Sequence, residues 1–374
     1  MASLTSHKRA FGGDTTRCGG PTLRARGSRR AAVVARGSVA NHNVLVGDIG
    51  GTNARLSVWQ AGPKKEEIFA KIYPTSSYDT FEEVVDEFLK EPEVACKPPE
   101  AAALAVAGAV EFNRCAMTNI NWIVDGPGLE KNHNFKVRVL NDFEAVGYGI
   151  PALEQGDIVP VNMALEKPMA PKVVMGPGTG LGAAQLMWDG LQRGYKVWPG
   201  EGSHATFAPR GWKQTALSDY VTQKYGHCEI EQVACGSGLA LIYEFLLTDE
   251  VGNRPDVLRN GSPKQPPEVA SGALDGSDPL AVEAVDMFLN IIGAEAGAMA
   301  LRCLAGGGVY IAGGITPKLM KRVQHGALRD GFLMARGREK FHNILIKTPL
   351  YVITNDSVGK IGACEVALKL STDK

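Results

Sequence analysis

The sequence predicts an α/β fold built as two domains. Three observations lead there. Leu45–Val58 reads LVGDIGGTNARLSV and Val173–Leu186 reads VVMGPGTGLGAAQL, each an apolar run, a Gly/Thr-rich turn and a second apolar run. After each turn, buried-strand patterns alternate with helical ones. At 374 residues the chain also exceeds one typical core. Glycines let backbone N–H groups approach a polyphosphate, and threonine adds a hydroxyl donor, so the paired turns point to phosphoryl transfer.

In order, strands are expected at Val44–Gly47, Ala54–Gln60 and Ile68–Tyr73, with AGPKK at Ala61–Lys65 as a turn. Thr80–Leu89 places Phe81, Val84, Val85, Phe88 and Leu89 on one helical face. Ala101–Val110 and Lys136–Leu140 read as buried strands, with a helix at Glu144–Gly149. Pro151 to Pro171 reads as the passage to the second domain. That domain repeats the opening: strand Val173–Met175, turn Gly176–Gly182, strand Ala183–Trp188 and a return strand Tyr195–Trp198 after Asp189-Gly190. A helix near Gly238 follows, then a Pro/Gly/Ser-rich stretch, Asn253–Pro279, expected as an exposed insertion. A long helix at Ala281–Ala305, a strand at Gly308–Ile315, a strand at Leu350–Asn355 and a helix at Val358–Leu370 complete the chain. The shared order suggests an internal duplication with the nucleotide between the copies.

Lys plus Arg and Asp plus Glu each number 40, but the balance is uneven. Residues 1–39 hold eight basic residues against Asp14, leaving 32 basic and 39 acidic residues in the rest. A mildly acidic body gives no footprint for nucleic acid, and no apolar run suggests a membrane span. The Arg-rich opening, beginning MASLTS, reads as a transit peptide ending near AAVVARG at Ala31–Gly37. Plastid is the expected location, with mitochondrion or cytoplasm as alternatives. The seven cysteines include no CxxC pair, so neither structural zinc nor a disulfide framework is expected.

Gly178–Ala183 fits G-x-G-x-x-A, yet a dinucleotide site needs a helix straight after the turn, and AAQLMWDG leads into a hairpin. At DIGGTNAR, Asp48 suits Mg²⁺, directly or through water, with Thr52 and the Gly50 and Gly51 amides for phosphate oxygens. Asn141-Asp142 follows a strand, where open α/β sheets bind ligands. There a carboxylate could take a hydroxyl proton, and a helix N-cap is an equal reading. GEGSH at Gly200–His204 offers Glu201 and His204 as polyol partners, as zinc ligands lacking a third, or as plain loop residues.

These residues resemble the bacterial-type glucokinase family, within the actin-like ATPase superfamily that also holds the hexokinases. The resemblance spans Val44 to Leu370 and rests on ordered motifs. They are LVGDIGGTNARL, MTN at Met117–Asn119, NDFEAVGYGIP at Asn141–Pro151, GPGTGLG at Gly176–Gly182 and PGEGSHATFAP at Pro199–Pro209. CGSGLALIYEF at Cys235–Phe245, GGGVYIAGGI at Gly306–Ile315 and GKIGA at Gly359–Ala363 complete the set. The resemblance implies an actin-like (ribonuclease H-like) fold, two α/β domains around a nucleotide/sugar cleft. The expected division is residues 1–39 as leader, 40–152 with 356–374 as the small domain, and 153–355 as the large one. It implies transfer of the ATP γ-phosphoryl group to the 6-hydroxyl of glucose, with Asp142 as general base. Asn119, Asn141, Asp142, Glu201, His204 and Glu231 would hold the sugar. Asp48, Gly50, Gly51, Thr52, Asn53, Gly178 and Thr179 would hold the phosphates, with Mg²⁺ at Asp48 through water and adenosine at Gly313 and Gly314.

Ala109 stands where many relatives carry proline, and Ser203 where they carry a second glycine. The cysteine-rich zinc motif of the ROK kinases and a DNA-binding segment before Leu45 are missing, which argues against that group and its repressors. The expectation is therefore a plastid-targeted member from an algal or plant lineage, with oligomeric state open and a homodimer among the options. A kinase for another hexose, or a silent sugar-sensing or scaffold protein of the same fold, are the alternatives.

Overall fold

Two sheets with matching strand order organise the chain. The computed structural model describes residues 42–62, 65–117, 120–248, 262–333 and 339–372; the expected leader lies outside them. In the first sheet, β1 (Asn43–Ile49), β2 (Asn53–Gln60) and β3 (Glu66–Pro74) form an antiparallel meander. β4 (Ala101–Val106) pairs parallel with β1. After a short hairpin of β5 (Arg114–Ala116) and β6 (Ile123–Asp125), β7 (Lys136–Asn141) pairs parallel with β4. The second sheet repeats this scheme beyond an edge strand, β8 (Ile158–Asn162). There β9 (Lys172–Pro177), β10 (Leu181–Trp188) and β11 (Tyr195–Gly200) form the meander, and β12 (Val309–Ile311) and β13 (Leu350–Ile353) add in parallel. The orders are β3-β2-β1-β4-β7 and β11-β10-β9-β12-β13-β8. The duplication expected from the sequence is present as topology.

The central strands are largely apolar because both faces are covered: every residue of β4 and of β9 is buried, Lys172 at the start of β9 included. Between the sheets run two helices, Asp142–Gly149 and Val358–Thr372. Toward the first sheet, Ala145, Ala363, Cys364 and Ala367 pack on Val44, Val46, Ala103 and Leu140. Toward the second, Ile150 and Val358 pack with Val174, Ala184, Leu186 and Val197. The helices touch backbone to backbone, since a Cβ on Gly362 would meet the Ala145 carbonyl. This shared layer helps make Ala40–Lys374 one compact unit.

Thr80 starts the Phe81–Leu89 helix with a capping box to Glu83, and Phe81, Val84, Val85 and Phe88 turn inward. The Pro279–Cys303 helix, capped by Asp278, is long and apolar enough to cross a membrane. Yet 67% of its most apolar window is buried within the protein, where it forms the spine of the larger core.

Several expectations need correction. The Asn253–Pro279 stretch is not all loop. Residues 253–261 lie outside the described residues, but Pro266–Asp275 is a helix whose Val269 and Ala273 are buried. Its prolines, like Pro279, sit in the first helical turn, where a missing N–H costs nothing. The passage after Pro151 contains β8. The strand expected to reach Val110 ends at Val106, and the one expected to reach Ile315 ends at Ile311.

Candidate active site

Ile49, Val106 and Asn141 stand level on three neighbouring parallel strands, so Asp48 and Asp142 emerge at one edge of the first sheet. With one strand between them, interstrand spacing puts them about 10 Å apart. Asn141 is the helix cap: its Oδ1 accepts the N–H groups of Phe143 at 2.9 Å and Glu144 at 3.3 Å. Its Nδ2 donates to the Gly108 carbonyl at 3.1 Å. One amide N–H is therefore what it has left for a ligand, less than the expected sugar role assumed. Asp142, the first helical residue, is half-buried and also accepts from the Phe143 N–H at 2.9 Å. Burial raises its pKa most, and the charges of Asp48 and Glu201 add to this, against the pull of the Phe143 N–H. Cap and candidate base are thus neighbouring residues, not competing readings of one.

The first turn closes when the Gly50 N–H donates to the Asn53 carbonyl at 3.0 Å. This corrects the expectation for Gly50, whose amide is consumed in the hairpin, with Asn53 as its partner. Thr75 turns both tip carbonyls toward itself: its Oγ1 donates to Gly51 O at 2.8 Å and its N–H to Thr52 O at 3.0 Å. Among the described residues, no protein acceptor meets the Gly51 or Thr52 N–H. Asp48 is half-exposed, and one of its oxygens lies 3.2 Å from Arg55 Nη1.

The second turn is built alike. The Gly178 N–H donates to the Gly180 carbonyl at 2.8 Å, and Gly178 O accepts from the Gly236 N–H at 2.8 Å. Gly178 thus shapes the turn, while the N–H groups of Thr179 and Gly180 lack a protein acceptor among the described residues. Glu231 Oε2 accepts the Leu181 N–H at 2.8 Å, and a Cβ on Gly180 would sit 2.5 Å from that oxygen. Beside the turn, Gly313 has φ +83°, and a Cβ there would lie 2.5 Å from the Pro177 carbonyl. Only glycine fits that position. Gly314 begins the helical turn Ile315–Lys318, with open space around it.

β11 delivers Glu201 and His204 to the same edge as the second turn, because Gly200 pairs with Ala183 near the start of β10. His204 bridges two carboxylates: Nδ1 lies 2.8 Å from Glu229 Oε2, and Nε2 3.9 Å from Glu201 Oε2. Its pKa is raised, first by Glu229 and then by the charges of Glu231, Glu229 and Glu201. Asn119 lies outside the described residues. Sequence reasoning missed Glu229, Thr75 and Phe143. The Phe143 ring lies against Gly176 and Gly182, so close to Gly182 that a Cβ there would overlap it. These two glycines make room for the aromatic ring behind Asp142.

The glucokinase family model matches residues 45–370. The chain belongs to the glucokinase family. A glucokinase of Synechocystis sp. is 33% identical over 350 residues, covering 87% of this chain and 98% of that protein. One of Nostoc sp. is 34% identical over 346 residues, covering 87% and 99%. Among solved structures, a glucokinase from an Antarctic psychrotroph superposes with TM-score 0.76 at 25% identity, covering 87% of this chain and 99% of that one. A glucokinase from Balamuthia mandrillaris, solved with glucose, shares the fold at TM-score 0.68 and 21% identity, covering 90% and 96%. LVGDIGGTNARL, NDFEAVGYGIP, GPGTGLG, PGEGSHATFAP and GGGVYIAGGI lie at the strand ends described above, which puts the actin-like fold and the candidate residues they carry in one frame.

Proposed function

We propose that this protein is an ATP-dependent glucokinase in which Asp142 accepts the proton of the glucose 6-hydroxyl. The observation that supports this best is the placement of Asp142. It is half-buried at a strand edge, and Asp48 and Glu201 are near enough to oppose its ionisation. A carboxylate with a raised pKa is a stronger base once ionised. The free N–H groups of Gly51, Thr52, Thr179 and Gly180 suit phosphate oxygens, and the Gly313-Gly314 turn suits adenosine. Glu201, His204 and Glu231 suit sugar hydroxyls, with Asn119 as a further partner.

The donors present fit Mg²⁺. Asp48 is half-exposed and offers carboxylate oxygens, one of them held by Arg55, so it would hold a hydrated ion through the other. Bound Mg²⁺ would neutralise charge on the transferring phosphate. Residues 40–152 with 356–374, and 153–355, are read as two lobes that close over the sugar to exclude water. Residues 1–39 are read as a plastid transit peptide; a fluorescent fusion that stayed in the cytoplasm would overturn this.

A coupled assay with ATP, Mg²⁺ and a panel of hexoses tests the main reading. Glucose should be turned over with the highest kcat/KM. Preference for another hexose would rename the substrate, and no turnover with any would leave a sugar-binding protein of the same fold.

A further inference from the structure

The strand order that carries the Gly/Thr turns to one edge of each sheet carries the next turns to the other. Successive connections in an antiparallel meander alternate ends. Ala61 and Lys65, which flank the β2–β3 connection, and the β10–β11 connection, residues 189–194, therefore lie remote from Asp48 and Thr179. Between them, beside the Val358–Thr372 helix, is a cavity of about 780 Å³ lined by Lys65, Arg193, Lys196, Lys369, Asp189 and Glu365.

Four cations there face two carboxylates. Lys65 pairs with Glu365, and Arg193 lies 3.4 Å from Asp189. Lys369 Nζ donates to the Arg193 carbonyl at 3.1 Å, and Lys196 Nζ sits 4.3 Å from the Trp198 ring centroid. Neither has a carboxylate partner among the described residues. A concave surface with excess positive charge concentrates anions. Its volume falls within the roughly 300–1,000 Å³ of small-molecule sites. Tyr148 and Tyr195 on the same wall add aromatic surface for the rest of a ligand.

The cavity is wired to the catalytic edge. Tyr148 belongs to the helix that begins at Asp142, and Lys196 to the strand that ends beside Glu201. That helix and strand pack without slack, since a Cβ on Gly147 would lie 2.6 Å from Val197 Cγ1. A ligand drawing the β10–β11 hairpin toward the C-terminal helix would press on both elements. We propose that this cavity is a regulatory site for a phosphate-bearing small molecule, held by Lys196 and Lys369 and distinct from the catalytic cleft.

The test is calorimetric titration of the full chain with inorganic phosphate at constant ionic strength, the cleft filled with glucose and a non-hydrolysable ATP analogue. Phosphate should still bind, at least tenfold more weakly in K196A/K369A, with binding restored in K196R/K369R. Phosphate should also shift the glucose KM of the wild type while leaving that of K196A/K369A unmoved. Equal binding by wild type and K196A/K369A, or loss of all binding once the cleft is filled, would overturn the site. Binding without a KM shift would overturn its regulatory role. The singles K196A and K369A, both at exposed positions, serve should the double variant fail to fold. The titration requires no turnover, so its result stands apart from the hexose assay.

Discussion

His204 Nδ1 and Glu229 Oε2 are 2.8 Å apart, and this contact orients the imidazole on the Glu201 loop. Glu229 comes from the short segment that also holds Glu231, so one stretch of chain fixes two groups of the candidate sugar site. The hydrogen bond to Glu229 is the first cause of the raised His204 pKa, and the charges of Glu231, Glu229 and Glu201 add to it. Stability from the imidazolium is thus complete below the unfolded value, about 6.5, and fades as pH rises through the higher folded value. Both side chains are partly exposed, so this contribution is small and salt-sensitive.

Glu229 therefore offers the first prediction. Glu229→Ser keeps a good residue at the start of the Ile230–Val233 turn but cannot reach His204. The glucose KM should rise severalfold while kcat and Tm stay near wild type. Glu229→Gln keeps an acceptor without charge, so His204 should titrate at lower pH by NMR. An unchanged glucose KM in Glu229→Ser would detach Glu229 from sugar binding.

Asp142→Asn should lower kcat by about 10²–10⁴, the range of a lost general base. Because the folded pKa is raised, the native chain holds this proton more tightly than the unfolded chain does. That contribution to stability is present at low pH and is lost as pH rises through the folded value. Asn carries no such loss, so Asp142→Asn should melt no lower than wild type at pH 7. In the wild type, the acid limb of kcat/KM should lie above the ordinary aspartate value of about 3.9. In Glu201→Gln it should move down, since one opposing charge is gone. A limb unmoved by Glu201→Gln would count against this coupling.

Strand and motif positions were legible because the central strands carry continuous apolar runs and the Gly/Thr turns sit at their ends. The Gly211–Tyr225 helix was not, since Gln214, Leu217 and Val221 are its buried residues and leave no apolar stripe. At the site, Asp48, Asp142 and Glu201 could be read from local pattern. Glu229 and Thr75 could not, because their partners lie 25 and 24 residues away in sequence. Phe143 looked like an ordinary helical residue, and its function depends on glycines of the other sheet. Burial in three dimensions decided each of these.

Gly182→Ala tests that aromatic seat. The new methyl group would overlap the Phe143 ring, which cannot retreat without moving the start of the Asp142 helix. Overpacking of this kind costs about 1–3 kcal/mol, visible as a lower denaturation midpoint. Turnover should fall as well, with the KM for ATP changed little. Adding Phe143→Leu to Gly182→Ala should recover part of both losses. Normal stability in Gly182→Ala would mean that the helix start has slack.

Glu231 separates a sugar residue from a residue that serves both substrates. Its carboxylate accepts the Leu181 N–H at 2.8 Å, immediately beyond the second Gly/Thr turn, and leaves no room for a side chain at Gly180. Its charge also bears on His204. Removing it leaves the Leu181 N–H without its partner, a loss of about 1–3 kcal/mol. The turn bearing Thr179 is then free to shift. Glu231→Ala should therefore raise the KM for both glucose and ATP, whereas Glu201→Ala should raise that for glucose with ATP nearly unaffected. Glu231→Gln, which keeps an acceptor for Leu181, should spare the ATP KM while still weakening glucose. If Glu231→Ala left the ATP KM at the wild-type value, the contact with Leu181 would be structural ornament to the turn and Glu231 a sugar ligand alone.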